Sequence, residues 1–214
     1  MNYKLRLSFI VHRSSFIVHR SSFIVHRLSF IVYRYKNMYI PVNISALATD
    51  RIQFRYLDHV TDRPWLLDFC KDDEATRFFF PMDDREQFCN HWLERDTMRR
   101  EKYGATMYVI EDKASGEAVG MCGILVQDVD DREWLEIGYS LRREFWGRGY
   151  ASEAAILAKN YIFEHDLSDL IISIIHPDNV SSQRVAQRNG MTRGHRTAFR
   201  DIPVDVWRIE KPKK

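Results

Sequence analysis

A glycine-rich turn between an apolar strand and an alanine-rich helix is the feature that most limits what this chain can fold into. The turn, Trp-Gly-Arg-Gly-Tyr-Ala over residues 146–151, follows the apolar segment 135–141 and opens a predicted helix over 149–164. Backbone N–H groups at a helix start lack intrahelical acceptors, and the helix dipole favours negative charge there. Glycine at 147 and 149 permits positive φ and close approach of a ligand. The pattern indicates an anion site suited to phosphate.

We call residues 146–151 the cradle. The residues expected to bind an anion there are Trp146, Gly147, Arg148, Gly149, Tyr150 and Ala151. A plain turn is the alternative interpretation of two glycines at this spacing, and a solvated side chain is the alternative for Arg148.

The composition is that of an ordinary globular protein. The 214 residues, 45% apolar and 29% charged, suit one domain with a substantial core. A net charge of +2 gives no case for a nucleic-acid partner. Cysteines 70, 89 and 122 lack Cys-x-x-Cys spacing, so reduced thiols and a cytoplasmic location are expected. The histidines lack metal-ligand spacing, and we expect no metal.

Residues 1–37 contain the repeat Ser-Phe-Ile-Val-His-Arg-Ser. Its three adjacent apolar residues give no coiled-coil seam, and an arginine interrupts every apolar run well before the roughly 18 residues that span a bilayer. An organelle transit peptide is one interpretation. The simpler one is an upstream DNA repeat translated in frame, with Met38 as the true start. We therefore expect a non-domain extension over 1–37, one domain over 38–214 and no membrane association.

Hydrophobic periodicity beyond the repeat predicts the element order β-α-α-β-β-β-α-β-α-β-β. The predicted elements are strand 51–57, a helix from 61 or 62, helix 83–102, strands 106–111 and 118–126 around a turn at 113–116, strand 133–141, helix 149–164, strand 170–175, a short helix from 179 that ends at Gly190, and strands 191–200 and 204–210.

Three segments together resemble the GCN5-related N-acetyltransferase (GNAT) family. They are residues 136–155 around the cradle, Asn179-Val-Ser-Ser182 and Arg188-Asn-Gly-Met191. The resemblance covers about residues 50 to 211 and is nearest to the ribosomal-protein N-acetyltransferase (RimJ/RimL) type. Trp146 stands where the family fingerprint has Arg or Gln. The resemblance implies an amine acceptor, either a peptide N-terminus or a small molecule, and we expect the protein to be a monomer or homodimer.

The resemblance implies an α/β (α+β) fold with a central mixed, mostly antiparallel sheet and helices on both faces. Two splayed strands would bind acetyl-CoA, the acetyl donor, whose pantetheine arm pairs with the main chain of Tyr139, Ser140 and Leu141. Its pyrophosphate would lie on the cradle N–H groups. Asn179 would hydrogen-bond the pantetheine arm, with a helix cap as the alternative.

The family transfers acetyl by direct attack of an amine on the thioester. At pH 7.5 a lysine amine is about 0.1% neutral and an α-amine about 40%, so only the former needs strong help from a base. Glu136 is the first candidate base and His176 the second. An exposed strand residue and a loop histidine are the respective structural alternatives.

The family's usual general acid, a tyrosine seven residues after the motif asparagine, is replaced by Ala186. Ser182 is the nearest substitute, and its alternative is a hydroxyl bonded to the helix backbone. Because a thiol leaves as a fairly stable anion, with a pKa of about 8.5, the loss is tolerable.

These patterns predict an N-acetyltransferase for a primary amine, either a protein N-terminal α-amine or a small molecule. The alternative is a non-catalytic acyl-CoA-binding module on the same fold. A Rossmann dinucleotide site is disfavoured, because a hairpin precedes the glycines and no acidic residue ends a second βαβ strand. The identity of the acceptor stays open.

Overall fold

The computed structural model describes residues 42–79 and 83–213, and its elements follow the order that periodicity predicts. The predictions for residues 1–37 and for Met38 lie outside the described residues. The strands are β1 (Ile52–Arg55), β2 (Met107–Asp112), β3 (Ala118–Val129), β4 (Arg132–Leu141), β5 (Leu170–Ile175), β6 (Thr192–Phe199) and β7 (Ile202–Glu210). The α-helices are α1 (Arg63–Lys71), α2 (Asp73–Thr76), α3 (Arg85–Tyr103), α4 (Tyr150–Glu164) and α5 (Val180–Arg188).

The strands form one seven-stranded sheet in the order β1-β2-β3-β4-β5-β7-β6. Every neighbouring pair is antiparallel except β4 and β5, which run parallel. The α/β (α+β) class with a mixed, mostly antiparallel sheet is therefore confirmed.

Strands β4 and β5 stay paired over only two positions. Leu135 is level with Ile171 and Glu136 with Ile172, and beyond these positions the two strands separate. Strand β4 meanwhile remains paired with β3 as far as Leu141. One edge of β4 is therefore left open, as the predicted splay requires.

Helices cover the sheet on both faces. Helices α1 and α3 pack over one face in a cluster that includes Leu66, Phe69, Cys70, Phe88, Cys89, Met107, Val109, Met121 and Leu125. Helix α4 packs on β3 and β4 from the other side. It does so through one face of the predicted alanine-rich helix, where Ala154, Ala155, Ala158 and Ile162 are fully buried. Small side chains allow this helix to approach the sheet closely.

Several element boundaries differ from the predictions because of two tight turns. Asp130 and Asp131 have φ of 54° and 59°, and Arg200 and Asp201 have φ of 52° and 65°. Two successive positive φ values make a hairpin turn whose twist matches its strands, and Asn-Gly is its usual signal. Neither pair carries that signal, so the sequence did not locate these two turns. In the structure β3 continues to Val129 and β7 begins at Ile202, and both strands are longer than predicted.

Helix α2 was not predicted. It is a single turn, and the Asp72 side chain caps it by accepting hydrogen bonds from the N–H groups of Glu74 and Ala75. Within the described ranges, none of the helices has the length and apolar character needed to cross a bilayer.

Candidate functional site

The opening between β4 residues 137–141 and β5 residues 173–175 is called the fork. At its closed end, Ser173 Oγ donates a 2.8 Å hydrogen bond to the Ile137 carbonyl. Because the polar groups of successive strand residues alternate between the two edges, those of Tyr139 also face the fork, whereas those of Ser140 face Met121 of β3. Of the three predicted main-chain contacts, the fork thus receives Tyr139 and Leu141 but not Ser140.

Trp146 closes the far end of the fork. Its indole N–H donates a 3.0 Å hydrogen bond to the Leu141 carbonyl, and the residue is 40% exposed. Only the N–H of Leu141 is therefore left for a ligand. The tryptophan that departs from the family fingerprint has a specific structural partner, which the sequence did not indicate.

The cradle presents unpaired backbone N–H groups. Gly147 and Gly149 have φ of 74° and 85°, and a Cβ on either would meet no atom within 4 Å. The first intrahelical bond of α4 runs from the N–H of Glu153 to the carbonyl of Gly149, at 3.1 Å. In the described part of the chain, the N–H groups of residues 147–152 have no acceptor. An anion with several oxygens suits this arrangement.

Two contacts from other elements hold the cradle. Arg51 donates a 3.0 Å hydrogen bond from Nη2 to the Arg148 carbonyl, and it forms an ion pair of 3.0 Å with Glu153. The hydroxyl of Tyr150 donates to Asp112 on the β2–β3 hairpin, at 2.5 Å. The Arg148 side chain is exposed, with its guanidinium 5.4 Å from the centre of the Phe145 ring. These contacts fix the loop before any ligand arrives.

Asn179 and Ser182 lie together at the start of α5. Asn179 Oδ1 accepts a 3.0 Å hydrogen bond from the Ser182 N–H, so this side chain caps the helix. Its Nδ2 makes no hydrogen bond within the described chain. The Tyr139 hydroxyl donates to the Ser182 carbonyl at 2.9 Å, which connects the fork to this helix. Ala186, at the position of the family's tyrosine, is 1% exposed.

Glu136 is buried, with 7% of its surface accessible. The alternative interpretation of this residue, an exposed position on the strand, is therefore wrong. Its carboxylate accepts a 2.7 Å hydrogen bond from Gln127 Nε2 and a 3.3 Å hydrogen bond from the Ile174 N–H of β5. Burial raises the pKa of Glu136, and these hydrogen bonds act in the opposite direction. A carboxylate so placed can take up a proton more readily than an exposed one.

Three arginines that the sequence did not single out act electrostatically on this carboxylate: Arg95 and Arg99 of α3 and Arg200 of the β6–β7 turn. Burial and the charges of Arg99 and Arg200 lower the pKa of Arg95 to about 10, so Arg95 remains cationic at neutral pH. Burial also lowers the pKa of Arg99 and of Arg200. The i, i+4 spacing of Arg95 and Arg99 was visible in the sequence, but charged residues occur all around this helix.

His176, the second candidate base, ends β5. Its ring stacks on Phe78 at 4.9 Å between centroids, and its Nδ1 accepts a 3.1 Å hydrogen bond from the Asp178 N–H. One ring nitrogen is thus engaged in a turn, which favours the structural interpretation of this residue. Across residues 42–79 and 83–213, no group of three or more His, Cys, Asp or Glu side chains is placed to hold a metal ion.

A mixed sheet whose parallel pair opens beside a glycine-rich helix start defines the class of acetyltransferases that bind their donor in such a fork. The sequence profile described as an acetyltransferase (GNAT) domain matches residues 51–192. The chain is 32% identical over 147 residues to the uncharacterized protein YkkB of Bacillus subtilis (strain 168), covering 69% of this chain and 85% of YkkB. The chain therefore belongs to the GNAT acetyltransferase family.

Solved structures share the fold. An acetyltransferase from Agrobacterium tumefaciens superposes with a TM-score of 0.67 at 26% identity, over 81% of this chain and 98% of that one. The ribosomal α-N-protein acetyltransferase RimL, in complex with coenzyme A, gives a TM-score of 0.62 at 18% identity, over 77% and 97% of the two chains.

Proposed function

We propose that this protein is an acetyl-CoA-dependent N-acetyltransferase acting on a primary amine, either a protein N-terminal α-amine or a small molecule. The observation that carries the proposal is the presence of two neighbouring sets of unpaired main-chain groups, those of Tyr139 in the fork and the N–H groups of residues 147–152 in the cradle. The RimJ/RimL type is supported by the shared fold of RimL, which was solved with coenzyme A.

In this proposal acetyl-CoA supplies the activated acetyl group as a thioester. Its pyrophosphate would be held by the cradle N–H groups, to which Gly147 and Gly149 allow close access. The pantetheine arm would pair with the main chain of Tyr139, and the free Nδ2 of Asn179 would donate to it. Capping and ligand binding by Asn179 are compatible, because they use different atoms of the same amide.

The amine nitrogen attacks the thioester carbonyl carbon, the carbon–sulfur bond breaks, and coenzyme A departs as a thiolate. The proton that the nitrogen loses passes to Glu136, directly or through one water. Ser182, whose hydroxyl makes no hydrogen bond with a described residue, would donate a hydrogen bond to the departing sulfur.

A non-catalytic acyl-CoA-binding module is the second candidate. It is favoured by one observation, the buried Ala186 at the position where many family members have a tyrosine acid. Such a module would use the cradle and the fork in the same way, and the difference would lie only in turnover.

An assay of thiol release from acetyl-CoA, run with a panel of amines and N-terminal peptides, tests both candidates. We expect amine-dependent release of thiol and an acetylated product by mass spectrometry. Calorimetric titration with acetyl-CoA serves as the companion measurement. Binding without turnover on any acceptor would support the module, and absence of binding would contradict both candidates.

A further inference from the structure

Two arginines of helix α3 have neither a hydrogen-bond partner nor an ion-pair partner among the described residues. The guanidinium groups of Arg95 and Arg99 make no hydrogen bond and no ion pair with any residue that the structure describes. Arg100, the next residue, instead contacts Asp96 at 2.8 Å and the Leu57 carbonyl at 3.1 Å, both through Nη2. Because Arg95 and Arg99 are one helical turn apart, they share a face of α3, and both are half-buried.

Arg200 brings a third guanidinium to the same place from the β6–β7 turn. Its φ of 52° lies in the left-handed region, where glycine and asparagine are the usual residues. An arginine there is unfavourable for the backbone alone. Its guanidinium also lies 5.1 Å from the centre of the Phe199 ring, so this arginine already has partners of its own.

Arg95 and Arg99 together carry more positive charge than Glu136, the one carboxylate that acts on both of them, can balance. Asp96 also acts on Arg99, but its oxygens are already bonded to Arg100, His59 and Thr106. Like charges that are partly removed from water repel one another strongly. Arg95 and Arg99 are thus suited to bind a further anion.

The phosphates of acetyl-CoA do not fill this role. Glu136 lies five positions before Leu141 along β4, which at about 3.3 Å per residue places it roughly 17 Å from the end of the strand, and the cradle follows only at residue 146. This separation is about twice the Debye length at physiological ionic strength. The arginine cluster and the cradle are therefore separate anion sites.

We infer that the acceptor amine carries an anionic group, a carboxylate or a phosphate monoester, which Arg95 and Arg99 bind while Glu136 faces the amine. Planar guanidinium groups match the oxygens of both anions through paired hydrogen bonds. Arg200 lies at the rim and adds charge. This inference rests on the proposed N-acetyltransferase function and narrows its acceptor class.

Matched acceptors test it. The kcat/KM for β-alanine is compared with that for β-alaninamide, and the value for phosphoethanolamine with that for ethanolamine, so the two pairs separate a carboxylate from a phosphate. We expect kcat/KM for at least one anionic acceptor to exceed that for its neutral counterpart by about tenfold or more, because a charge-assisted hydrogen bond has an effect of this size.

The variants Arg95→Gln and Arg99→Gln should bring kcat/KM for the anionic acceptor down toward that for the neutral one, so that the ratio of the two values approaches one. Arg99→Lys retains the charge and should retain part of the preference. Lys102→Gln is the matched control, since it removes one exposed positive charge from the same helix. The control should keep the full preference, and the KM for acetyl-CoA should be unchanged throughout.

The outcomes separate this inference from the proposed function. Equal use of anionic and neutral acceptors by the parent enzyme, or equal losses on both in the arginine variants, would overturn the inference while acetyl transfer stands. Failure to acetylate any acceptor of either kind would reject the proposed function, and the inference with it.

Discussion

Arg51 donates a hydrogen bond of 3.0 Å to the backbone carbonyl of Arg148, which lies 97 residues further along the chain. The same guanidinium forms an ion pair of 3.0 Å with Glu153 in the first turn of α4. The residue just before β1 thus shapes the cradle and neutralises a carboxylate that would otherwise repel an incoming phosphate.

Replacement of Arg51 should weaken acetyl-CoA binding. In Arg51→Ala the Glu153 carboxylate loses its counter-charge and the cradle loses one anchor, and we expect Kd to rise about tenfold. Calorimetric titration measures the change. In the double variant with Glu153→Gln the repulsion is absent, so part of the affinity should return. An unchanged Kd in Arg51→Ala would show that this contact serves only the fold.

Alanine at Gly149 should abolish or strongly weaken acetyl-CoA binding in a folded protein. Its φ of 85° strains an alanine by about 1 kcal/mol, and the new methyl group would occupy the open space where a phosphate is expected. Gly116→Ala is the matched control, because φ there is 72° and the space is equally open. The Tm of the two variants should fall by similar amounts, but only Gly149→Ala should bind acetyl-CoA more weakly. Equal affinities would mean that the cradle is only a turn.

Removal of the Glu136 carboxylate should slow lysine-like acceptors far more than α-amines. Glu136→Gln keeps the shape but cannot accept the proton, and we expect kcat/KM for a lysine-like amine to fall by about 10² to 10⁴. An α-amine is already partly neutral and should lose much less. The measurement compares both acceptors across pH. If kcat/KM falls equally for the lysine-like amine and the α-amine, Glu136 has a positioning role and does not remove the proton.

The same substitution should raise stability in a pH-dependent way. Burial raises the folded-state pKa of Glu136 above the value of about 4.3 in an unfolded chain. Between these two pKa values the folded state holds more protons, so stability falls as pH rises and stays lower above them. Charges of Arg95, Arg99 and Arg200 oppose this loss without reversing it.

Glu136→Gln should therefore melt at a higher Tm than the parent protein at pH 7 to 8. The difference should shrink as pH falls through the raised folded-state pKa of Glu136 and be smallest below about 4. Thermal melts at several pH values measure it, with Glu117→Gln at an exposed site as the control. A lower Tm for Glu136→Gln at neutral pH would indicate that the arginines depend on the carboxylate for stability.

Much of the fold followed from the sequence because it rests on periodic burial. The alanine-rich helix α4 was predicted, and its residues Ala154, Ala155 and Ala158 are buried where the helix packs on β3 and β4. Strand β5 occupies Leu170–Ile175, as its continuous aliphatic run predicted. The hairpin turns at Asp130 and Arg200 were placed less well, since their positive φ values lack the usual glycine or asparagine.

The sequence by itself determined the cradle and the element order, because both depend on residues that are near neighbours in the chain: two glycines at a helix start, and apolar side chains at regular spacing. The tertiary structure alone decided the surroundings of Glu136. Helix α3 brings Arg95 and Arg99 from about 40 residues before it, the β6–β7 turn brings Arg200 from about 60 residues after it, and β5 supplies the Ile174 N–H. Such convergence follows from how α3, β4 and β7 pack, and no local pattern encodes that packing.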